Sequence, residues 1–437
     1  MSFRKIIFWA HLVAGVISGL AIGVMCFTGT VLAFEKEIVA WSERDARHVE
    51  PPAAPASRLS LDELQRRFRE ARPEARPATI VLQNDPTAAV AFSAGRTGGF
   101  YVNPYTGEAR QPKSSAMGQF MQTMTAWHRY LGFSGEVSRP RGKWVNGVCN
   151  VAFCVLAVTG LYLWMPRSWS WRAIKPVIWF HQNAAGKARD FNWHNTIGFW
   201  SAPVLIVLTL TAIPISFQWG GRLINQLTGT PAPAAAARGA AGGGGGPGGA
   251  APVVEVPAPE PGARPLSQDA LLTQAQQQIP KWETITIRIG GPAGRGGAGG
   301  RGGEARPNST AAATPATPAS SATPSEISGE PATARRERSA PQAATFTVRE
   351  SGTWPRTVTT TLSLNPYNGE VLRRTGYADM NATQQVRSWT RFLHTGEALG
   401  NGGQLVAGLA CLGGCFLVYT GFALSLRRFF GKRTPEA

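Results

Sequence analysis

Acidic residues are scarce in this chain of 437: 26 Asp and Glu stand against 44 Lys and Arg, a net charge of +18. Cysteine is scarcer still, and all five (Cys26, Cys149, Cys154, Cys411 and Cys415) fall inside apolar runs. The polar regions therefore have no disulfide framework. There is no C-x-x-C-H, which excludes covalent c-type haem attachment. Charge is missing from four stretches, 6–34, 144–164, 194–217 and 404–426, none of which contains Asp, Glu, Lys or Arg. Each is long enough to cross a bilayer as a helix, for which about 20 apolar residues suffice. The first lacks a small-residue cleavage site, so it reads as a retained helix rather than a signal peptide.

Two apolar runs carry one pattern. His11 is followed by Gly15, Ser18, Thr28 and Phe34; His194 is followed at the same spacings by Gly198, Ser201, Thr211 and Phe217. A second set of echoes follows each of them. The turn Asn103-Pro104-Tyr105-Thr106-Gly107-Glu108 returns as Asn365-Pro366-Tyr367-Asn368-Gly369-Glu370. A histidine on an amphipathic segment follows each (His128, His394), and then an apolar run ending in Thr159-Gly160 or Thr420-Gly421. The expected fold is a membrane protein: a four-helix transmembrane bundle from an internal duplication, with two small α+β modules on the far side.

The basic excess sorts by position. Arg4 and Lys5 precede the first run, Arg167, Arg172, Lys175, Lys187 and Arg189 crowd the short loop between the second and third, and Arg427, Arg428, Lys432 and Arg433 follow the fourth. By the positive-inside rule both termini and the middle loop are cytoplasmic, and the long connections are exported. This distribution replaces nucleic-acid binding as the reading of the charge.

The expected divisions are 1–40 for the first transmembrane helix, 41–113 for a first exported module, and 114–166 for an amphipathic helix with the second span. A basic cytoplasmic loop follows at 167–190, then the third span at 191–220 and a disordered linker at 228–265. The second exported module covers 266–380 with a disordered insertion at 291–342. An amphipathic helix and the fourth span fill 381–430, and 431–437 is a cytoplasmic tail. Within the modules, a capping-box pattern at Ser60 and Glu63 opens a helix, and strands are expected at 78–83, 88–93, 98–103, 284–289, 344–348 and 357–365. A second module helix is expected over 266–279 and an amphipathic one over 115–133. The linker and insertion are dominated by Ala, Gly, Pro, Ser and Thr, which cannot bury enough apolar surface to fold. Gly294-Arg295-Gly296-Gly297-Ala298-Gly299 matches G-x-G-x-x-G, but no helix follows it, so it is not a dinucleotide site.

Topology places His11 and His194 near one membrane face and His128 and His394 near the other. Two imidazoles on different helices can fill both axial positions of a b-type haem, and bundle interiors host such sites. Gly15 and Gly198 would let a flat macrocycle approach the backbone, Trp9, Trp193, Trp127 and Phe392 could pack on its edge, and Arg129 and Arg391 are candidate partners for its carboxylates. The alternatives are interfacial anchoring, a proton relay, which would want carboxylates in mid-membrane, and a Zn or Cu site, which would want a third ligand. Cys411 and Cys415, four apart, read as packing residues rather than a metal pair. His48 and His181 have no counterpart in the repeat and read as solvated residues.

These motifs together (H-x-x-x-G opening two spans, Thr-Gly closing others, the NPYTGE-like turn) resemble the PepSY-associated transmembrane family, and within it the iron-regulated inner-membrane siderophore reductases. The resemblance implies a pair of periplasmic PepSY modules and two haem b groups, the inner held by His11 and His194 and the outer by His128 and His394. It implies reduction of a ferric siderophore or similar periplasmic acceptor, with electrons from a cytoplasmic flavin or flavoprotein, in the bacterial inner membrane. Two other readings stay open: a non-enzymatic PepSY sensor or protease modulator, and a cytochrome-b-type quinol oxidoreductase subunit.

Overall fold

The structure, a computed structural model, describes residues 2–53, 57–93, 99–166, 168–229, 254–257, 262–288 and 342–430. In chain order its elements begin with α1 (Phe3–Leu32), α2 (Glu35–Ser42), α3 (Arg44–Arg47), α4 (Leu61–Ala71), β1 (Thr79–Gln83), β2 (Val90–Ser93), β3 (Gly99–Val102) and β4 (Ala109–Arg110). Next come α5 (Ala116–Tyr130), α6 (Ser138–Trp164), α7 (Trp171–Ile178), α8 (Gly186–Ser216), α9 (Gln218–Leu227) and α10 (Gln268–Gln278). The chain ends with β5 (Trp282–Arg288), β6 (Ala344–Glu350), β7 (Thr360–Leu364), β8 (Val371–Thr375), α11 (Ala382–His394) and α12 (Gly400–Phe430).

The four apolar runs fold as α1, α6, α8 and α12, with mean hydropathies from 1.8 to 2.0 over their most apolar stretches. Only a third of each stretch is buried within the chain. Side chains such as Ile17 (79% exposed) and Leu20 (77%) face outward, a surface that water would penalise and lipid accepts. The chain is a membrane protein with four spans. Each helix runs beyond its apolar stretch; α8 starts at Gly186, eight residues before His194. Helices α1 and α8 stand diagonally, each packed between α6 and α12.

The polar connections hold a single eight-stranded antiparallel sheet in the order β4-β3-β2-β1-β5-β6-β7-β8. Its two middle strands come from the two different polar connections: Thr79 pairs with Arg288 and Gln83 with Thr284. Helices α4 and α10 cover one face, burying Leu61, Leu64, Phe68, Leu271, Leu272 and Ala275 against Ile80, Phe92, Ile285, Phe346 and Leu362. The expected modules are thus halves of one layer.

Local chemistry sets the ends. Ser60 accepts from the Glu63 backbone N–H, but the reciprocal half of the expected capping box is absent. The Glu63 carboxylate turns instead to Arg66 and Arg67, at 2.7 and 2.6 Å. A complete box occurs at Asn381 and Gln384, opening α11. In the two NPY turns the Asn103 and Asn365 side chains accept from the Tyr105 and Tyr367 backbone N–H groups. Gly107 and Gly369 take φ of +72° and +75°, where glycine carries no steric penalty.

Several expectations are corrected. Four short helices had no counterpart in the sequence reading: α2 and α3 follow the first span, the basic loop holds α7, and α9 follows the third span. Strand β8, not expected, closes the far edge of the sheet against β7, and β4 closes the near one. The insertion 291–342 lies outside the described residues apart from Gln342, as does the G-x-G-x-x-G match. Of the linker, Glu255 forms a β-bridge to Gln342.

Candidate functional site

Four histidines come together two by two. His11 on α1 and His194 on α8 face each other across the bundle diagonal, their ring centres 6.5 Å apart and their planes at 87°. His128 at the end of α5 and His394 at the end of α11 pair in the same way, at 6.2 Å and 49°. Two imidazoles bound to opposite sides of one metal ion, each through a bond of about 2 Å, hold their ring centres about 6 Å apart. Both couples have that separation.

Their hydrogen bonds also agree. Nδ1 of His11 lies 2.9 Å from Thr159 Oγ1, and Nδ1 of His194 lies 2.9 Å from Thr420 Oγ1. Each of these hydroxyls already donates its proton one turn back, Thr159 to the Val155 carbonyl and Thr420 to the Phe416 carbonyl. The threonine oxygen is left as acceptor, so Nδ1–H must be the donor. The outer rings meet backbone carbonyls, which only accept: His128 Nδ1 is 3.1 Å from Met25 O and His394 Nδ1 is 2.9 Å from Leu208 O. Thr28 and Thr211 stand beside them at 3.0 and 3.4 Å, their own protons likewise given to Val24 and Val207. In all four rings the proton sits on Nδ1, and Nε2 keeps its lone pair. A second partner that fixes tautomer and ring direction is what a metal-ligating imidazole normally has.

The bundle explains this order. His11 and Thr28, like His194 and Thr211, are separated by 17 residues, about 25 Å along a helix. Helix α1 thus supplies an imidazole to one couple and a hydroxyl to the other, and α8 does the same. Glycine follows three of the four threonines. A Cβ at Gly160 would come 3.3 Å from His11 Cε1, one at Gly29 3.4 Å from His128 Cε1, and one at Gly421 3.7 Å from His194 Cε1.

Of the other candidates, Gly15 and Gly198 lie one turn from their histidines, where a Cβ would meet only leucine methyls at 3.8 and 3.6 Å. The Arg129 guanidinium lies over Tyr130 and that of Arg391 over Phe392, at 5.4 and 5.9 Å. Among the described residues neither makes an ion pair with a carboxylate. His48 and His181 are exposed. All five cysteines are free; Cys26, Cys149 and Cys415 share one apolar cluster with Ile22, Met25 and Phe153. Among the described residues no three His, Cys, Asp or Glu side chains group as metal ligands. Reading the sequence missed Thr28, Thr159, Thr211 and Thr420 as acceptors, although all four stood in the repeated pattern.

No curated protein matches the chain. The family model does: two spans opening on histidine and two closing on Thr-Gly are parts of one continuous match. The PepSY-associated TM region covers residues 8–428, nearly the whole chain, and the protein belongs to that family.

Proposed function

We propose that the chain is a di-haem b transmembrane electron conduit, His11 and His194 holding one haem and His128 and His394 the other. The observation that carries this reading is the double coincidence at each couple: an axial ring separation and a proton placed on Nδ1. Bound there, haem b supplies one-electron chemistry at its iron. The chain's own residues orient the imidazoles through the four threonines and two carbonyls, and the apolar bundle excludes water from both sites. The couples lie about 25 Å apart along the helices, most of the roughly 30 Å of hydrocarbon to be crossed.

The basic ends of α1, α8 and α12 make the His11/His194 side the cytoplasmic one by the positive-inside rule. On this reading both termini are cytoplasmic, in a bacterial inner membrane. A reduced flavin or flavoprotein donates at that face. An oxidised acceptor, a ferric siderophore in the leading form of the proposal, takes electrons beside His128 and His394. The repeated register of His, Gly, Ser and Thr, with the two NPY turns, supports the two halves as products of duplication and the sheet as two PepSY-like modules.

The test is a visible spectrum with haem quantification on the full chain and on the four single His→Ala variants. Two six-coordinate b-type haems, one lost in His11→Ala or His194→Ala and the other in His128→Ala or His394→Ala, are expected. A colourless, folded preparation made with haem supplied would overturn the reading in favour of a membrane sensor.

A further inference from the structure

The inner couple is overlooked by a carboxylate that the conduit itself does not call for. Asp190 is fully buried on α8, one turn before His194, and residues four apart share a helix face. Arg189 Nε and Nη2 donate to one of its oxygens at 3.1 and 3.0 Å, while Arg427 Nη1, from the end of α12, lies 2.7 Å from the other as an ion pair that leaves this buried oxygen without a hydrogen bond. Arg427 follows Thr420, the acceptor for His194, by seven residues, so it too shares a face with the site. The cations around it are arranged on the same aromatics that flank the histidines. The Arg189 guanidinium lies 5.5 Å from the ring centre of Trp193, beside His194, and that of Arg428 lies 5.0 Å from Trp9, two residues before His11.

Burying an ionised carboxylate is costly, and an ion pair that only tied α8 to α12 could be replaced by apolar packing without loss. Here one carboxylate meets two guanidiniums, those of Arg189 and Arg427, so positive charge remains in excess. The Arg189 and Arg427 side chains are 40% and 39% exposed, and each guanidinium has five N–H donors, more than Asp190 can accept. Held rigid on one edge by a buried acid, such guanidiniums are pre-organised to take a second carboxylate.

Resting on the haem reading above, we infer that Arg427 and Arg189 form the carboxylate-binding end of the inner site: they take the propionates of the group held by His11 and His194. Asp190 acts as the positioning residue that aims them. The outer couple has Arg129 and Arg391 on the same turns as its histidines; α1 and α8 provide no such cation within a turn after His11 or His194, and Asp190 brings one in from α12.

The experiment follows retention and redox titration of each haem in the purified full-length chain, with His11→Ala used to identify the inner signal. Arg427→Gln should speed loss of the inner haem to an apoglobin acceptor about tenfold and lower its midpoint potential, because a positive charge near the iron is gone. The outer haem should be unchanged, which also reports correct folding. Arg427→Lys should restore the potential but only part of the retention, since an ammonium keeps the charge and loses the fork. Asp190→Asn should weaken inner retention without removing an arginine. Wild-type retention and potential of the inner haem in both Arg427→Gln and Asp190→Asn would overturn the inference while leaving the conduit standing. A wild-type chain that binds no haem would overturn both.

Discussion

Thr420 and His194 are joined through Oγ1 and Nδ1 at 2.9 Å, with the threonine proton committed to the Phe416 carbonyl 2.8 Å away. The threonine is therefore a fixed acceptor, and the imidazole has one tautomer. Thr420→Val keeps the shape and removes the acceptor, freeing the ring to turn or to shift its proton to Nε2. Inner-haem affinity should drop about tenfold, the usual cost of removing the partner that orients a metal-bound histidine. Thr420→Ser should retain it. Haem titration of the two variants, with the outer haem as internal standard, separates these outcomes.

The glycines beside the rings differ in a way that one methyl group can read. At Gly160 a Cβ would stand 3.3 Å from His11 Cε1, closer than such contacts normally run; at Gly421 it would stand 3.7 Å from His194 Cε1, an ordinary contact. Gly160→Ala should push His11 off its axis at a cost of about 1–3 kcal/mol, the range for overpacking, seen as a weakened or high-spin inner-haem spectrum. Gly421→Ala should look like the wild type. Equal effects of the two substitutions would show that ring contact is not what the glycines serve.

The histidines could be read from the sequence because their spacing to Gly, Ser and Thr repeats in one register and each lies at the edge of a charge-free run. The hydroxyl acceptors were half legible: Thr28 and Thr211 belonged to that register, but their partners lie 100 and 183 residues away, a separation no local pattern reveals. Asp190 was hidden for a similar reason, since its burial depends on Arg427 arriving from the far end of the chain. The single sheet was not legible at all. Each strand carries its own alternation, but the join between β1 and β5 pairs residues 79–83 with 284–288, across two membrane spans. Helices α2, α3, α7 and α9 escaped because short helices are fixed by tertiary packing more than by propensity; α7 even contains Pro176.

Helices α4 and α10 meet at their N-termini, and this contact sets a pH response. The Asp269 carboxylate accepts from the Leu61 and Asp62 backbone N–H groups at 2.6 and 3.0 Å. Asp62 stands beside it, and its own carboxyl is raised above the usual 3.8, first by burial and then by its contact with Asp269, against backbone N–H groups of Gln268 and Asp269 that pull it down. A carboxyl raised in the fold favours the protonated state there. Its contribution to stability is therefore present at low pH and lost as pH climbs through the interval between 3.8 and the raised value. Asp62→Asn removes that loss, so its unfolding midpoint should exceed the wild type's near neutrality and converge with it in acid. Asp269→Ala should do the opposite, costing about 1–2 kcal/mol as a helix cap is lost. Thermal unfolding followed across pH for both variants checks the sign; a destabilised Asp62→Asn at neutral pH would mean that the two carboxylates do not oppose each other.

The join at β1 and β5 makes a claim about cooperativity. Ile80 and Leu82 on β1 face Ile287 and Ile285 on β5, and all four sit in the apolar layer under α4 and α10. If this seam carries load, breaking it must loosen strands on both sides. Val81 lies at its centre, paired with Ala91 on one flank and Thr286 on the other. Proline there removes a ladder N–H and fixes φ in a central strand, a position proline is otherwise kept out of. Hydrogen exchange on Val81→Pro should then show protection falling in β2 and β3 and also in β6 and β7, which lie in the other half of the chain. Loss confined to β1–β4 would show two modules that merely touch, since β5 would keep its pairing with β6 from Trp282 to Ile287 and the remaining apolar layer would hold without its neighbour.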